Sequence, residues 1–314
     1  MNNVKFINAV LEGDMRQGVP VTACYHFGQQ HLNGETHAKL EVEYYRHFKP
    51  DILKVMNDYS FPCPDGLHYI SEPDDIEAYS SSVGHRLPYQ EQLKVISTLK
   101  NELGEEVMFW DTVFNPWFTI RRHLLFKDIN LYMRMHGTLL HKMLDEVTDC
   151  LINYIHKSFE NGVKGIYFSV PASESFISYN DFREFMLPYD LKLIESVKHL
   201  GILFLHIHGA GNIYYNDLFS QYHYNGVSWA DQTTNLSLVE GRKLTDRVVM
   251  GGIDETHDFN YRPYKQLKQE VHSALAQMKG TPFILAPGCV LQPQCPAERL
   301  HYFFECAKEQ QNRT

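Results

Sequence analysis

The sequence predicts an α/β fold, a single (β/α)8 TIM barrel formed by residues 1–314, and three observations lead to it. Short apolar runs alternate with longer amphipathic stretches, which is the βαβα order of a parallel sheet. The runs are rich in Val, Ile, Leu and Phe without polar alternation, as strands buried on both faces require. Neither a Gly-x-Gly-x-x-Gly turn nor a P-loop follows any of them, which argues against an open doubly wound sheet with one ligand site at a switch point.

Taken in order, the candidate strands are residues 19–25, 52–57, 107–111, 165–169, 202–207, 226–229, 248–251 and 282–286. Helical patterns at 35–48, 89–102, 139–161, 181–200, 263–279 and 296–309 lie among them. Ser178 and Asp181 form a capping-box-like start, because a Ser hydroxyl there can meet the amide three residues on. Pro188 within 181–200 predicts a kink or break, since proline removes a helical hydrogen bond. Residues 62–88 are rich in Pro, Ser, Asp and Gly and read as a loop after the second strand. No linker divides the chain.

Composition excludes several function classes. A formal charge of −9 with no basic cluster is unsuited to a nucleic-acid surface. The apolar runs are too short to span a bilayer, and the first ten residues lack the apolar core of a signal peptide. The six cysteines, Cys24, Cys63, Cys150, Cys289, Cys295 and Cys306, are too scattered for a disulfide framework. A cytoplasmic protein with reduced thiols is expected, with no nucleic-acid or membrane partner and a small molecule as its substrate.

In such a barrel, functional residues stand at the C-terminal ends of the strands. Those ends carry Tyr25 and His26, Asp58, His206 and His208, Asp231, Asp254 and Cys289. His206 and His208 are two residues apart, so both imidazoles point to one side of their strand. Two imidazoles and one thiolate make a three-ligand zinc site with an open fourth position, the pattern of catalytic zinc. Cys295 is an alternative to Cys289 as the thiolate. A plainer reading makes the histidines hydrogen-bonded core groups, Cys289 a small buried residue, and Asp58, Asp231 and Asp254 caps or loop acceptors.

Four segments together resemble the uroporphyrinogen decarboxylase superfamily over nearly the whole chain. They are Phe48-Lys-Pro-Asp-Ile-Leu-Lys-Val-Met-Asn-Asp58, Ser178-Tyr-Asn-Asp-Phe-Arg-Glu-Phe-Met-Leu-Pro-Tyr189, His206-Ile-His-Gly209, and Phe283-Ile-Leu-Ala-Pro-Gly-Cys289 followed by Pro296-Ala-Glu298. The resemblance implies one of two chemistries on the same barrel. The decarboxylase branch works without a cofactor on a porphyrinogen, using an aspartate that Asp58 matches. Its Met-Arg-Gln-Ala-Gly-Arg motif reads Cys24-Tyr25-His26-Phe27-Gly28-Gln29 here, so both carboxylate-binding arginines are missing. Arg86, Arg121 and Arg122 are the nearest replacements.

The other branch consists of methyltransferases that move a methyl group between a corrinoid on a partner protein and a thiol such as coenzyme M. The resemblance implies zinc held by His-x-Cys and a later Cys. This chain has His206, His208 and Cys289 at those places, with His208 standing where that branch has cysteine. The expectation is one Zn2+ per chain with an open fourth position, and a corrinoid supplied by a partner protein. Asp58 and His26 are the candidate proton-handling groups, and Tyr25, Gln29, Asp231 and Asp254 the candidate substrate contacts. A decarboxylase of a porphyrinogen-like or other small acid, and a non-catalytic ligand-binding barrel, are the alternatives.

Overall fold

The structure, a computed structural model, describes residues 2–28, 31–63, 67–76, 87–125 and 128–311. Seven parallel strands form one curled sheet in the order β1 to β7. They are β1 Leu53–Val55, β2 Phe109–Phe114, β3 Gly165–Val170, β4 Ile202–Ile207, β5 Gly226–Trp229, β6 Val248–Ile253 and β7 Phe283–Pro287. Apart from Ile202 at the start of β4, every strand residue is buried, which explains why the runs carry no polar alternation.

The eighth expected strand, residues 19–25, is not one. Val21 bridges Leu285 and Tyr25 bridges Leu291 as isolated pairs. Thr22 N–H donates to the Leu285 carbonyl at 3.0 Å, and Asp51 N–H to the Val21 carbonyl at 2.9 Å. This segment therefore lies between the two edges of the sheet and touches both. Pro20 has no amide to give, and the Val21 amide is taken by the Asp51 carboxylate at 2.8 Å. The ladder is broken at two successive residues.

Two packed layers follow from the curl. Outside, the helices cover the strands with a large apolar cluster. Inside, Ile52, Trp110, Tyr167, Phe204, Val248 and Ile284 project inward and pack with Phe6, Ile7 and Val10 of the helix Asn3–Leu11. That helix therefore plugs the N-terminal end. Higher up, the register sets Ser169, His206 and Ser228 side by side across β3, β4 and β5. The interior thus changes from apolar to polar towards the C-terminal mouth.

Pro188 divides the predicted helix into Tyr179–Phe185 and Leu187–Val197, where it occupies the first turn of the second and its missing amide costs nothing. Ser178 caps the first by accepting from Asp181 N–H at 3.2 Å. After β2 the short helix Pro116–Thr119 runs into a π-helical turn, Ile120–Leu124. No helix among the described residues is long and apolar enough to cross a membrane.

Candidate metal centre

His206 lies near the end of β4 and His208 just past it, on the same side of the pleat. His208 is anchored through its amide, which donates to the Val170 carbonyl at 2.8 Å. The chain turns at once at Gly209, where φ is +133° and a Cβ would stand 1.9 Å from Ser173 Oγ. Cys289 arrives from the other side of the mouth, two residues after β7.

These three side chains converge. Cys289 Sγ stands 3.4 Å from His206 Nε2 and 3.6 Å from His208 Nδ1, and all three ligand atoms lie within 4.8 Å of one another. Bonds of about 2.3 Å to sulfur and 2.0–2.1 Å to nitrogen at a tetrahedral angle place N and S roughly 3.5 Å apart. The two sulfur–nitrogen separations therefore match a zinc ion's, and the donor set is one that zinc takes. Among the described residues this is the one cluster of its kind.

Neighbouring groups prepare the ligands. Ser228 Oγ lies 3.0 Å from His206 Nδ1, and Tyr167 OH 2.7 Å from Ser228 Oγ. This chain of hydrogen bonds fixes the ring so that Nε2 faces Cys289, as partners of the other ring nitrogen do for metal-binding histidines. Burial, followed by the charges of His208 and Lys54, holds His206 well below the usual histidine range. Burial and then Lys54, Arg122 and Arg121 lower His208 to about 4. Both imidazoles are therefore neutral, as ligands must be. Burial pushes the Cys289 thiol up to about 11 against the pull of Lys54, so the free thiol keeps its proton; a bound zinc ion would remove it.

Two cavities meet at the triad. One, of about 420 Å³, is lined by Ser175, Thr233, Thr256, Gln292 and Glu255 as well as the three ligands. Burial, with Asp254, Asp231 and Glu270 adding to it, raises Glu255 to about 7, and its Oε2 is buried without a hydrogen-bond partner. The other, of about 230 Å³, is lined by His26, Lys54, Thr112, Phe118, Arg122 and Ser169 with the same ligands. Arg122 comes from the π-helical turn, a distortion that often marks functional sites, and lies 4.4 Å over the Phe114 ring.

His26 Nδ1 and Asp58 Oδ2 are 3.0 Å apart at the edge of the second cavity. Burial alone would raise Asp58, but the His26 hydrogen bond and the charges of His26 and Arg122 outweigh it and lower its pKa. The other expected contacts are placed elsewhere. Tyr25 donates to the Pro293 carbonyl and lines a separate cavity of about 370 Å³ together with Cys295, so neither reaches the triad. Asp231 is buried and accepts from Gly252 N–H at 2.9 Å and from Gln232 Nε2 at 2.7 Å. Asp254 pairs with Arg262 at 3.0 Å and accepts from Thr256 N–H at 2.9 Å. Both aspartates hold loops rather than line either cavity at the triad. Gln29 and Arg86 lie outside the described residues.

Sequence reasoning missed Ser228, Glu255 and Lys54. The available signal was Lys54, a lone cation inside the apolar run Ile52-Leu53-Lys54-Val55.

The family model described as uroporphyrinogen decarboxylase (URO-D) matches residues 19–310. A uroporphyrinogen decarboxylase of Prochlorococcus marinus (strain MIT 9211) is 22% identical over 312 residues, covering 90% of this chain and 85% of its own. A chloroplastic uroporphyrinogen decarboxylase of Zea mays is 23% identical over 312 residues, covering 90% of this chain and 76% of its own. Among solved structures, a methyltransferase from Methanosarcina mazei superposes with a TM-score of 0.73 at 20% identity, over 96% of this chain and 97% of that one. A protein described as a putative vitamin-B12-independent methionine synthase from Listeria monocytogenes gives 0.59 at 12% identity, over 93% and 96%. The structural likenesses establish a shared TIM-barrel-like fold, and the match over residues 19–310 establishes that the chain belongs to the uroporphyrinogen decarboxylase family.

Proposed function

We propose that this chain is a zinc-dependent, methyltransferase-like enzyme that moves a methyl group between a corrinoid on a partner protein and a thiol or related small acceptor. The observation that carries the reading is the convergence of His206, His208 and Cys289 at 3.4 and 3.6 Å between two cavities. Zinc held there would supply a Lewis acid that lowers the pKa of a bound thiol. The name of the Methanosarcina neighbour, a methyltransferase, supports methyl transfer.

The chain's own residues have defined parts in this scheme. Ser228 and Tyr167 orient His206. Phe118 and Phe176, with ring centroids 5.8 and 5.1 Å from that of His208, keep water from its flank. His26, paired with Asp58, takes the acceptor's proton at Nε2, and the carboxylate stabilises the imidazolium that forms. The partner's corrinoid approaches at the strand-end mouth, because the opposite end is plugged. Free thiols at all six cysteines suit the reducing cytoplasm, where we place the protein as a single-domain enzyme.

The test is metal content. Protein purified without chelator should carry about one zinc per chain, and Cys289→Ala should lose it. Wild-type protein with no zinc and no affinity for added zinc would defeat the reading.

A second reading rests on the curated relatives, whose names are decarboxylases, and on Asp58 beside His26 and Arg122. It makes Asp58 the central group and the triad incidental. Carbon dioxide release from a small carboxylate that is unchanged in Cys289→Ala and lost in Asp58→Asn would favour it.

A further inference from the structure

A guanidinium taken out of water is costly unless an opposite charge or a set of acceptors answers it. Arg299 is 8% exposed, and its Nη1 is shut off from solvent without a hydrogen-bond partner. No described residue forms an ion pair or a hydrogen bond with this side chain. Glu298 is its neighbour in the chain, but adjacent residues of a helix do not face each other. What the guanidinium does have is the Tyr264 ring, whose centre lies 4.9 Å from Cζ. That contact offsets part of the desolvation cost and leaves the charge unanswered.

Arg299 lies in the first turn of the helix Ala297–Gln311, and helical side chains lean back towards the N-terminus of their helix. Burial raises the Cys295 thiol to about 11 and the Arg299 charge pulls against it, which places the guanidinium beside the residue before Pro296. Tyr264 opens a second helix, Tyr264–Gln277, so two helix starts meet at this one cation. Each follows a proline, Pro263 or Pro296, whose ring has no oxygen with which to cap. The Pro263 carbonyl accepts from Gln266 and Leu267 N–H, and the Pro296 carbonyl from Arg299 and Leu300 N–H. The amides of Tyr264, Lys265, Ala297 and Glu298 have no acceptor among the described residues. Tyr264 is 44% exposed, so the spot opens to solvent. We propose that Arg299 and these two helix starts form a binding site for a phosphate group, in the outer helical layer and separate from the triad. A tetrahedral oxyanion can accept from both helix starts and from a guanidinium fork at once. Bound there, it would pin together the helices that follow β6 and β7, whose preceding loops carry Thr256 and Cys289 to the mouth.

The test needs neither zinc nor activity, so it stands apart from the methyl-transfer reading. Full-length protein in phosphate-free buffer is titrated calorimetrically with inorganic phosphate, with sodium chloride adjusted to hold the ionic strength. Wild type should bind phosphate, and Arg299→Met should bind it at least about tenfold more weakly, the size of one charge-assisted hydrogen bond. Arg299→Lys, which keeps the charge and loses the fork, should fall between them. A second measurement uses wild type alone: phosphate should slow hydrogen exchange in residues 263–267 and 296–300, where the free amides lie. Binding should survive Cys289→Ala, which separates this site from the triad. Dimethyl phosphate is run beside inorganic phosphate. Binding of both assigns the site to a phosphodiester within a larger ligand, and binding of phosphate alone to the free ion or a monoester. The site is overturned by wild type that binds no phosphate, by undiminished binding in Arg299→Met, or by unaltered exchange at both helix starts. Loss of binding in Cys289→Ala overturns it too, because the anion then sits at the triad.

Discussion

The Ser228 hydroxyl sits 3.0 Å from His206 Nδ1, so the other ring nitrogen is presented to Cys289. The register that pairs His206 with Ser228 on adjacent strands makes this contact a property of the sheet. Ser228→Ala should therefore weaken zinc binding about 10–100-fold without abolishing it, as loss of an outer-shell partner does. Competition with a calibrated chelator measures this. An unchanged affinity would mean that packing alone orients the ring.

His208→Cys restores the thiolate of the methyltransferase branch. The variant should keep about one zinc per chain and transfer methyl from free methylcobalamin to a small thiol faster. A gain on the order of tenfold corresponds to about 1.4 kcal/mol off the barrier. The outcome against this account is a slower enzyme at full zinc occupancy.

Gly209→Ala tests the turn behind the second ligand. At φ +133° with Ser173 Oγ 1.9 Å from the added carbon, alanine is strained by both backbone and contact. A loss of about 2–3 kcal/mol in urea unfolding is expected, together with weaker zinc binding because His208 is next in the chain.

Asp190 gives a pH signature away from the site. Burial raises it from 3.8 to about 7, opposed by Tyr222 OH and Asn115 Nδ2 at 2.7 and 3.1 Å. The folded state thus holds a proton that the unfolded chain gives up near pH 4. This stabilisation is complete below that value and is lost as pH rises through about 7, at roughly 1.4 kcal/mol per pH unit. Chemical unfolding of wild type and Asp190→Asn across pH 4–8 should show a stability difference that shifts in favour of the variant as pH rises. Parallel curves would assign the proton to another group.

How far the sequence could be read depends on whether a property is local. Residues 202–207 and 226–229 are strands with the expected bounds, because apolar runs between Gly201 and His208 and after Asn225 carry their own start and stop. Residues 19–25 failed for a reason 30 positions away, the Asp51 carboxylate that captures the Val21 amide. The same division holds at the site. That His206 and His208 share a face follows from pleat geometry, whereas the distance to Cys289, 83 residues on, depends on how the sheet curls. Strand-end position was legible for Asp231 and Asp254 too, but side-chain direction was not: one turns to Gly252 N–H and the other to Arg262. Lys54 was passed over because a lysine in a strand has no meaning until its surroundings, here the Tyr167 ring face and the cavity beside the triad, are known.

The helix Asn3–Leu11, pressed into the floor of the barrel through Phe6, Ile7 and Val10, closes the interior at that end and leaves, among the described residues, the strand-end mouth as the way in. Whatever reaches the triad enters and leaves through the same opening, so traffic is sequential. If methyl transfer runs as proposed, the smaller reactant has to be seated before the partner protein covers the mouth, and its product waits until that cover lifts. Turnover would then be paced by uncovering rather than by the chemistry at the triad.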